Sequence, residues 1–298
     1  RRWECTFRYI GGAARREGAA GPGVVVDGAE KILHSDNPLD FLGYQVVEDA
    51  LTLCAGGDYA AARALLEGGA RRAQDPGVKR SLFTLASLAG AFADWDRFAH
   101  ADAAARLAGV EKNRGDLDRY LAPETCLLVE RELPGWKQRL ETLAAGKPTP
   151  ELIEDLLANA TRRRAEHRHD DAVARLYRTV EAMAQWRLAS SHQIPDTGAV
   201  PLVLLREDMR SRVLGQGDGT AKLGLQSAYE LLAAFGDPLG AVFREDHLDD
   251  PKRSPLAHRN ASILAHGWQP VSERACESLW KSALRLAGEL NISEQNLF

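Results

Sequence analysis

Near its C-terminal end the chain reads RSPLAHRNASILAHGWQP, Arg253 to Pro270, and three side chains in this stretch have the makings of a catalytic set. Arg259 offers a fixed cationic fork that matches phosphate oxygens. Asn260, beside it, can position a phosphate or orient its neighbours. His266 belongs to the residue type that titrates near neutral pH and can give or take a proton. Such a set suits cleavage of RNA without a metal. The ribose 2′-hydroxyl is an internal nucleophile, so the protein must help remove its proton, stabilise charge on the phosphorane and protonate the leaving 5′-oxygen. An imidazole, a guanidinium and an amide can divide those tasks.

The element expected to position them is one short helix. Ser254 suits an N-cap, Pro255 the first helical position and Gly267 the position just past the end, which frames Pro255 to His266. At about 100° per residue, seven residues fall about 20° short of two turns, so Arg259 and His266 share a face about 10 Å apart along the axis. Ser262 and Ile263 lie between them, and Ser262 is a supporting candidate. The helix macrodipole favours a protonated imidazole at that end. Arginine followed by histidine at similar spacing also occurs as Arg162 with His167, Arg187 with His192, and Arg253 with His258. Only Arg259 is followed by a polar amide inside one capped segment. The competing reading is structural: an arginine paired with a neighbour and a half-buried histidine satisfied by backbone.

The stretch RNASILAHG resembles the signature of HEPN-domain ribonucleases, an Arg-polar pair followed several residues later by His. More of the chain agrees. YIGGAARREGAAGPGVVVDGAEKILHSDNPLDFLGYQ resembles the junction after the sensor domain of CRISPR-associated CARF–HEPN proteins. DDAVARLYRTVEAMAQWRL and LQSAYELLAAFGDPLG are similar to their HEPN helices. The resemblance covers Tyr9 to Gln45 and about Asp170 to Gly267. It implies a helical HEPN domain, a twofold homodimer with both active sites facing the interface, and metal-independent cleavage of single-stranded RNA in a type III CRISPR antiviral system. It further implies regulation by cyclic oligoadenylate bound to an N-terminal CARF domain, with no cofactor in the reaction. Under it, Arg259 stabilises phosphate charge, Asn260 assists and His266 is the main proton-transfer group.

The rest of the sequence must hold this segment. A chain of 298 residues has room for two compact units. A net charge of −4 argues against coating nucleic acid through bulk positive charge, though not against a local basic cleft. Cys5, Cys54, Cys126 and Cys276 are far apart and form no CxxC pair, which favours a reduced, cytoplasmic protein over a disulfide framework or zinc module. No apolar run approaches the roughly 20 residues that span a bilayer, and no signal peptide is visible.

WECTFRYI alternates like a half-buried strand from its third residue, which suggests that sequence precedes Arg1. Strand-like segments follow at Val24 to Val26 and Lys31 to Leu33, with Asp27-Gly28 as a two-residue hairpin signal. Most of a CARF domain, including its ligand-binding loops, is not expected within this chain. From Asn37-Pro38 onward the pattern is helical, with breakers that include Pro134-Gly135 and Gly236-Asp237-Pro238. GDYAAARALL, HADAAARLAG and HDDAVARLYR are loosely alike but unequally spaced, which suggests helical hairpins and not a regular solenoid. The fold class expected is mainly α: a β remnant of a CARF domain over 1–36, a helical connector over 37–147 and a HEPN bundle over 148–298.

Other candidates carry plainer alternatives. From Arg162 to Arg187 seven arginines face four acids, which suits either guidance of an RNA backbone or, as favoured, a solvated face of ion pairs. His167-x-His169 beside Asp170 and Asp171 is a weak metal pattern, and no metal site is expected. Arg178, Glu181 and Gln185 form a polar stripe opposite an apolar face; an outer face is favoured, and Arg178 is retained as a supporting residue. Trp268 and Trp280 flank the catalytic segment and are assigned to the core. The rival reading of the whole is a non-catalytic helical scaffold that binds a protein partner.

Overall fold

The computed structural model describes residues 8–11, 31–34, 38–212, 219–250, 252–257, 262 and 268–293. The chain divides into two compact units, Arg1–Ala144 and Ala145–Phe298.

In the first unit β1 (Arg8–Gly11) pairs antiparallel with β2 (Lys31–His34), with Arg8 opposite His34 and Gly11 opposite Lys31. Asp27-Gly28 and Val24 to Val26 lie outside the described residues. Five helices follow: α1 (Pro38–Ala55), α2 (Tyr59–Arg72), α3 (Pro76–Asp96), α4 (His100–Lys112) and α5 (Pro123–Ala144). Each packs on the next. Their starts are local chemistry. Asp58 accepts from the Ala61 N–H at 3.0 Å, and Asp75 from that of Val78 at 2.7 Å with Pro76 at the first helical position. Leu66, Leu82, Val110 and Leu117 are among the buried residues between the helices.

One expected break is absent. α5 runs through Pro134, although proline removes one helical hydrogen bond. Val129, Leu133, Leu140 and Leu143 are buried on either side of it, so tertiary packing offsets the local cost.

The three similar stretches have a common structural meaning. Each opens the second helix of a pair: α1 with α2, α3 with α4, and α6 (Pro150–Ala165) with α7 (His169–His192). A residue of positive φ turns the chain each time: Gly57 at 80°, Phe98 at 61° and His167 at 58°. Five residues later stands a fully buried alanine, Ala62, Ala103 or Ala172, and nine residues later a buried leucine, Leu66, Leu107 or Leu176. The small residue lets two helix backbones approach near the turn, and the leucine one turn on fills the gap between them.

The second unit is built around α7, whose Val173, Leu176, Val180, Met183 and Leu188 are buried. It packs against α6, α9 (Leu225–Ala234) and α11 (Glu273–Gly288); α10 (Pro238–Glu245) packs on α9 and α11. A short α8 (Glu207–Arg210) and the pair β3 (Val200–Pro201) with β4 (Thr220–Ala221) occupy the α7–α9 connection. The expected mainly helical fold is what the described residues form.

The α9–α10 corner is tight. Gly236 takes a φ of 74°, Asp237 caps α10, and a Cβ on Gly240 would lie 2.4 Å from the Ala233 nitrogen. Only glycine fits there, because the obstacle is backbone. Tyr229 stacks on Phe243 across the same corner at 4.0 Å and donates its hydroxyl to the Val180 carbonyl at 2.9 Å.

Candidate functional site

The segment that carries the catalytic candidates joins the end of α10 to the start of α11, and both of its ends are fastened. At the entrance the Leu248 N–H donates to the Phe243 carbonyl at 3.0 Å. The Asp250 carboxylate then accepts from the Lys252 N–H at 2.8 Å, the Arg253 N–H at 3.2 Å and Arg253 Nε at 2.6 Å. Ser254 is buried; its hydroxyl donates to the Leu248 carbonyl at 2.9 Å and accepts from the Leu256 N–H at 3.2 Å. It caps a turn, as its sequence context suggests. At the exit the Val271 N–H donates to the Asp170 carboxylate at 3.2 and 3.3 Å, and Ser272 caps α11 through the Ala275 N–H. A long connection is thereby held to α7 and α10.

Arg259, Asn260 and His266 lie outside the described residues. Ser262 is described, and it corrects one expectation: its backbone forms an isolated parallel bridge with Gln269 and is not the interior of a helix. A bridge directs the main-chain groups of residue 262 to a partner seven positions on, whereas a helix directs them four positions away. One unbroken helix from Pro255 to His266 is therefore not formed, and the shared-face geometry derived from it does not carry over. Ser262 itself is only 2% exposed.

Arg178 sits on α7 with its guanidinium committed to that helix, 2.7 Å from Glu181 and 3.2 Å from Gln185. The basic stretch is likewise turned to internal work. Arg163 pairs with Glu166, Arg168 and Arg175 with Asp171, and Arg187 with Asp237. Arg175 also hydrogen-bonds Asn159 of α6. Arg164 pairs with Glu277 of α11 at 2.8 Å and lies 3.7 Å above the Trp280 ring, whose Nε1 donates to Thr161. Burial pushes the Asp171 carboxyl up, but hydrogen bonds and charge from Arg168 and Arg175 outweigh it and hold the group below the usual carboxylate range. The ion-paired reading of this stretch is the one the structure supports.

His167 and His169 stand 6.0 Å apart, ring to ring. Among the described residues no group of three or more His, Cys, Asp or Glu side chains could hold a metal ion. Cys276 is buried, and its thiol is pushed up to about 11 by that burial, so it stays protonated at neutral pH. No described helix is long and apolar enough to cross a membrane.

Two residues escaped the sequence reading. Asp237, legible only as a helix breaker, is a buried hub. One oxygen accepts from the Leu239 N–H, and the other faces Arg187 Nε at 2.6 Å and His192 Nε2 at 2.9 Å, so it ties the start of α10 to the end of α7. Trp280 is part of the packing, as expected, but Trp268 is not: its side chain is 86% exposed. No pattern in the sequence separates the two tryptophans; only the packing around them does.

The Csm6 HEPN domain family matches residues 141–289, half of the chain. The matched span runs from the last turn of α5 through α11 and contains the whole segment between α10 and α11. No curated protein matches the chain. With this coverage, the chain belongs to the CRISPR-associated Csm6 HEPN domain family.

Proposed function

We propose that the chain is a metal-independent endoribonuclease of a type III CRISPR antiviral system that cuts single-stranded RNA. HEPN domains are in general ribonucleases, and the observation that carries the reading is the family match over the unit that contains RNASILAHG. In this proposal His266 transfers the proton, Arg259 stabilises charge on the phosphorane and Asn260 positions the phosphate. Ser262 and Arg178 act as supports. Cyclic oligoadenylate regulates the reaction through a CARF domain upstream of this chain, and no cofactor takes part.

The test is cleavage of a fluorescent single-stranded RNA with and without EDTA. The expected result is chelator-resistant cutting that leaves 2′,3′-cyclic phosphate ends, because the 2′-oxygen is the nucleophile. RNA methylated at every 2′-oxygen is expected to resist. EDTA-sensitive cleavage of the methylated substrate would sink the mechanism.

The active unit is expected to be a homodimer. One segment offers a single Arg259 and a single His266, a sparse set for two proton transfers and charge stabilisation; twofold pairing doubles it through an isologous contact. Specific activity should therefore fall on dilution in step with the mass measured by light scattering. Full activity from a monomer contradicts this.

A further inference from the structure

We infer that Trp268 is a stacking platform for an unpaired base of the RNA strand, an inference that rests on the nuclease reading above and names how the site would hold its substrate. Tryptophan is on average a well-buried residue, and the other described tryptophans are buried or half-buried. Trp95 is 1% exposed, and Trp280 is half-buried beneath the Arg164 guanidinium. Trp268, at 86%, is the most exposed large hydrophobic side chain among the described residues.

Its backbone is nevertheless fastened. The next residue, Gln269, is bridged to the buried Ser262, and two residues further on the Val271 N–H is held by the Asp170 carboxylate. The indole is thus an apolar plane presented to solvent from an anchored stretch of chain.

Its place in the chain says what it meets. Trp268 follows His266, the proposed proton-transfer residue, by two positions in the chain. A strand whose phosphate reaches His266 has its neighbouring bases within reach of this indole. The run Gly267 to Val271 carries no charged side chain, so it has no cation to offer a phosphate. What it offers is a π surface. Stacking on an aromatic ring suits any unpaired base and tolerates changes of sequence, because every base has a π face.

The experiment measures binding separately from cutting. A labelled RNA methylated at every 2′-oxygen is titrated with the 298-residue chain and with Trp268→Ala, Trp268→Leu and Trp268→Phe, and anisotropy reports the affinity. Loss of one stacked base corresponds to a drop of about 5- to 150-fold, expected for Ala and Leu, while Phe stays near the parent. Placing a single abasic nucleotide at the stacked position should abolish the difference between parent and Ala. The inference is overturned if Leu binds as well as Phe, if Ala binds as well as the parent, or if the parent binds no RNA. It is overturned equally if light scattering shows that Trp268→Ala breaks a dimer, which would make a second copy of the chain the occupant. A parent that binds the methylated RNA but cuts no ordinary RNA leaves this inference standing and removes only the nuclease reading.

Discussion

Alanine at His266, or at Arg259, is expected to lower the rate of RNA cleavage by at least about 100-fold, while the unfolding midpoint of the chain stays within about 2 °C of the parent. The magnitude follows from the roles proposed. Removing a positioned proton donor or acceptor costs about 10²- to 10⁴-fold, and removing a charge that stabilises the transition state costs about 10²- to 10³-fold. The two variants should differ in kind. Arg259 would hold the phosphate in the ground state as well as in the transition state, so its loss raises KM and lowers kcat. His266 would act on protons in flight, so its loss falls mainly on kcat. Arg259→Lys separates charge from shape: if the two-pronged fork matters, lysine recovers only part of the activity. Asn260→Ala is expected to cost less than either. A His266→Ala protein that cuts at the parental rate, free of contaminating nuclease, ends the proposal for this segment.

How much of this was legible beforehand depends on how far apart in the chain the interacting groups lie. The helix start at Thr149-Pro150 shows in the sequence because a cap is a bond between a side chain and an N–H three residues away. Ser254 was legible for the same reason. Pro134 was misread because its helix is held by side chains packed along α5, which a proline rule does not weigh. The Ser262–Gln269 bridge was missed because the segment carries helix-forming residues between plausible caps, and local propensity yields to a pairing made across seven residues. The correction matters for function. Arg259 and His266 are kept as candidates by the family motif and by their chemistry, and no longer by a shared helical face.

The arginine-rich stretch shows the same limit from another side. Counting charges from Arg162 to Arg187 gives an excess of three positives within that window. Two of these arginines, Arg187 and Arg164, are answered by acids outside the window, Asp237 from α10's cap and Glu277 of α11. A local count therefore overstates how much positive charge is free to meet a nucleic acid.

Replacement of Asp237 with alanine is expected to destabilise the second unit by about 3 kcal/mol, the largest effect on stability among the described residues considered. The carboxylate is 3% exposed, and it serves three donors at once: Arg187 Nε, His192 Nε2 and the Leu239 N–H. Removing one partner of a buried ion pair costs about 3–5 kcal/mol because the other charge is left behind. Arg187 and His192 each keep about a quarter of their side-chain surface in water, which places the value at the lower end. Burial alone pushes the Asp237 carboxyl up, but the hydrogen bonds from Arg187, His192 and the backbone more than reverse this, and the group titrates below its ordinary value. The sign follows from linkage. A carboxyl depressed in the folded state contributes its stability in full above the unfolded value of about 4, and loses it as pH falls through the folded value. The gap between parent and Asp237→Asn should thus be full near pH 5 and close in stronger acid. Urea unfolding of both proteins across that range is the measurement. Because Asp237 ties α10 to α7, and the catalytic segment begins where α10 ends, the Asn variant should also lose RNA cleavage in proportion to the fraction unfolded. A stable Asp237→Ala protein would mean that the tight corner at Gly240 and the Tyr229–Phe243 stack hold α10 in place without it.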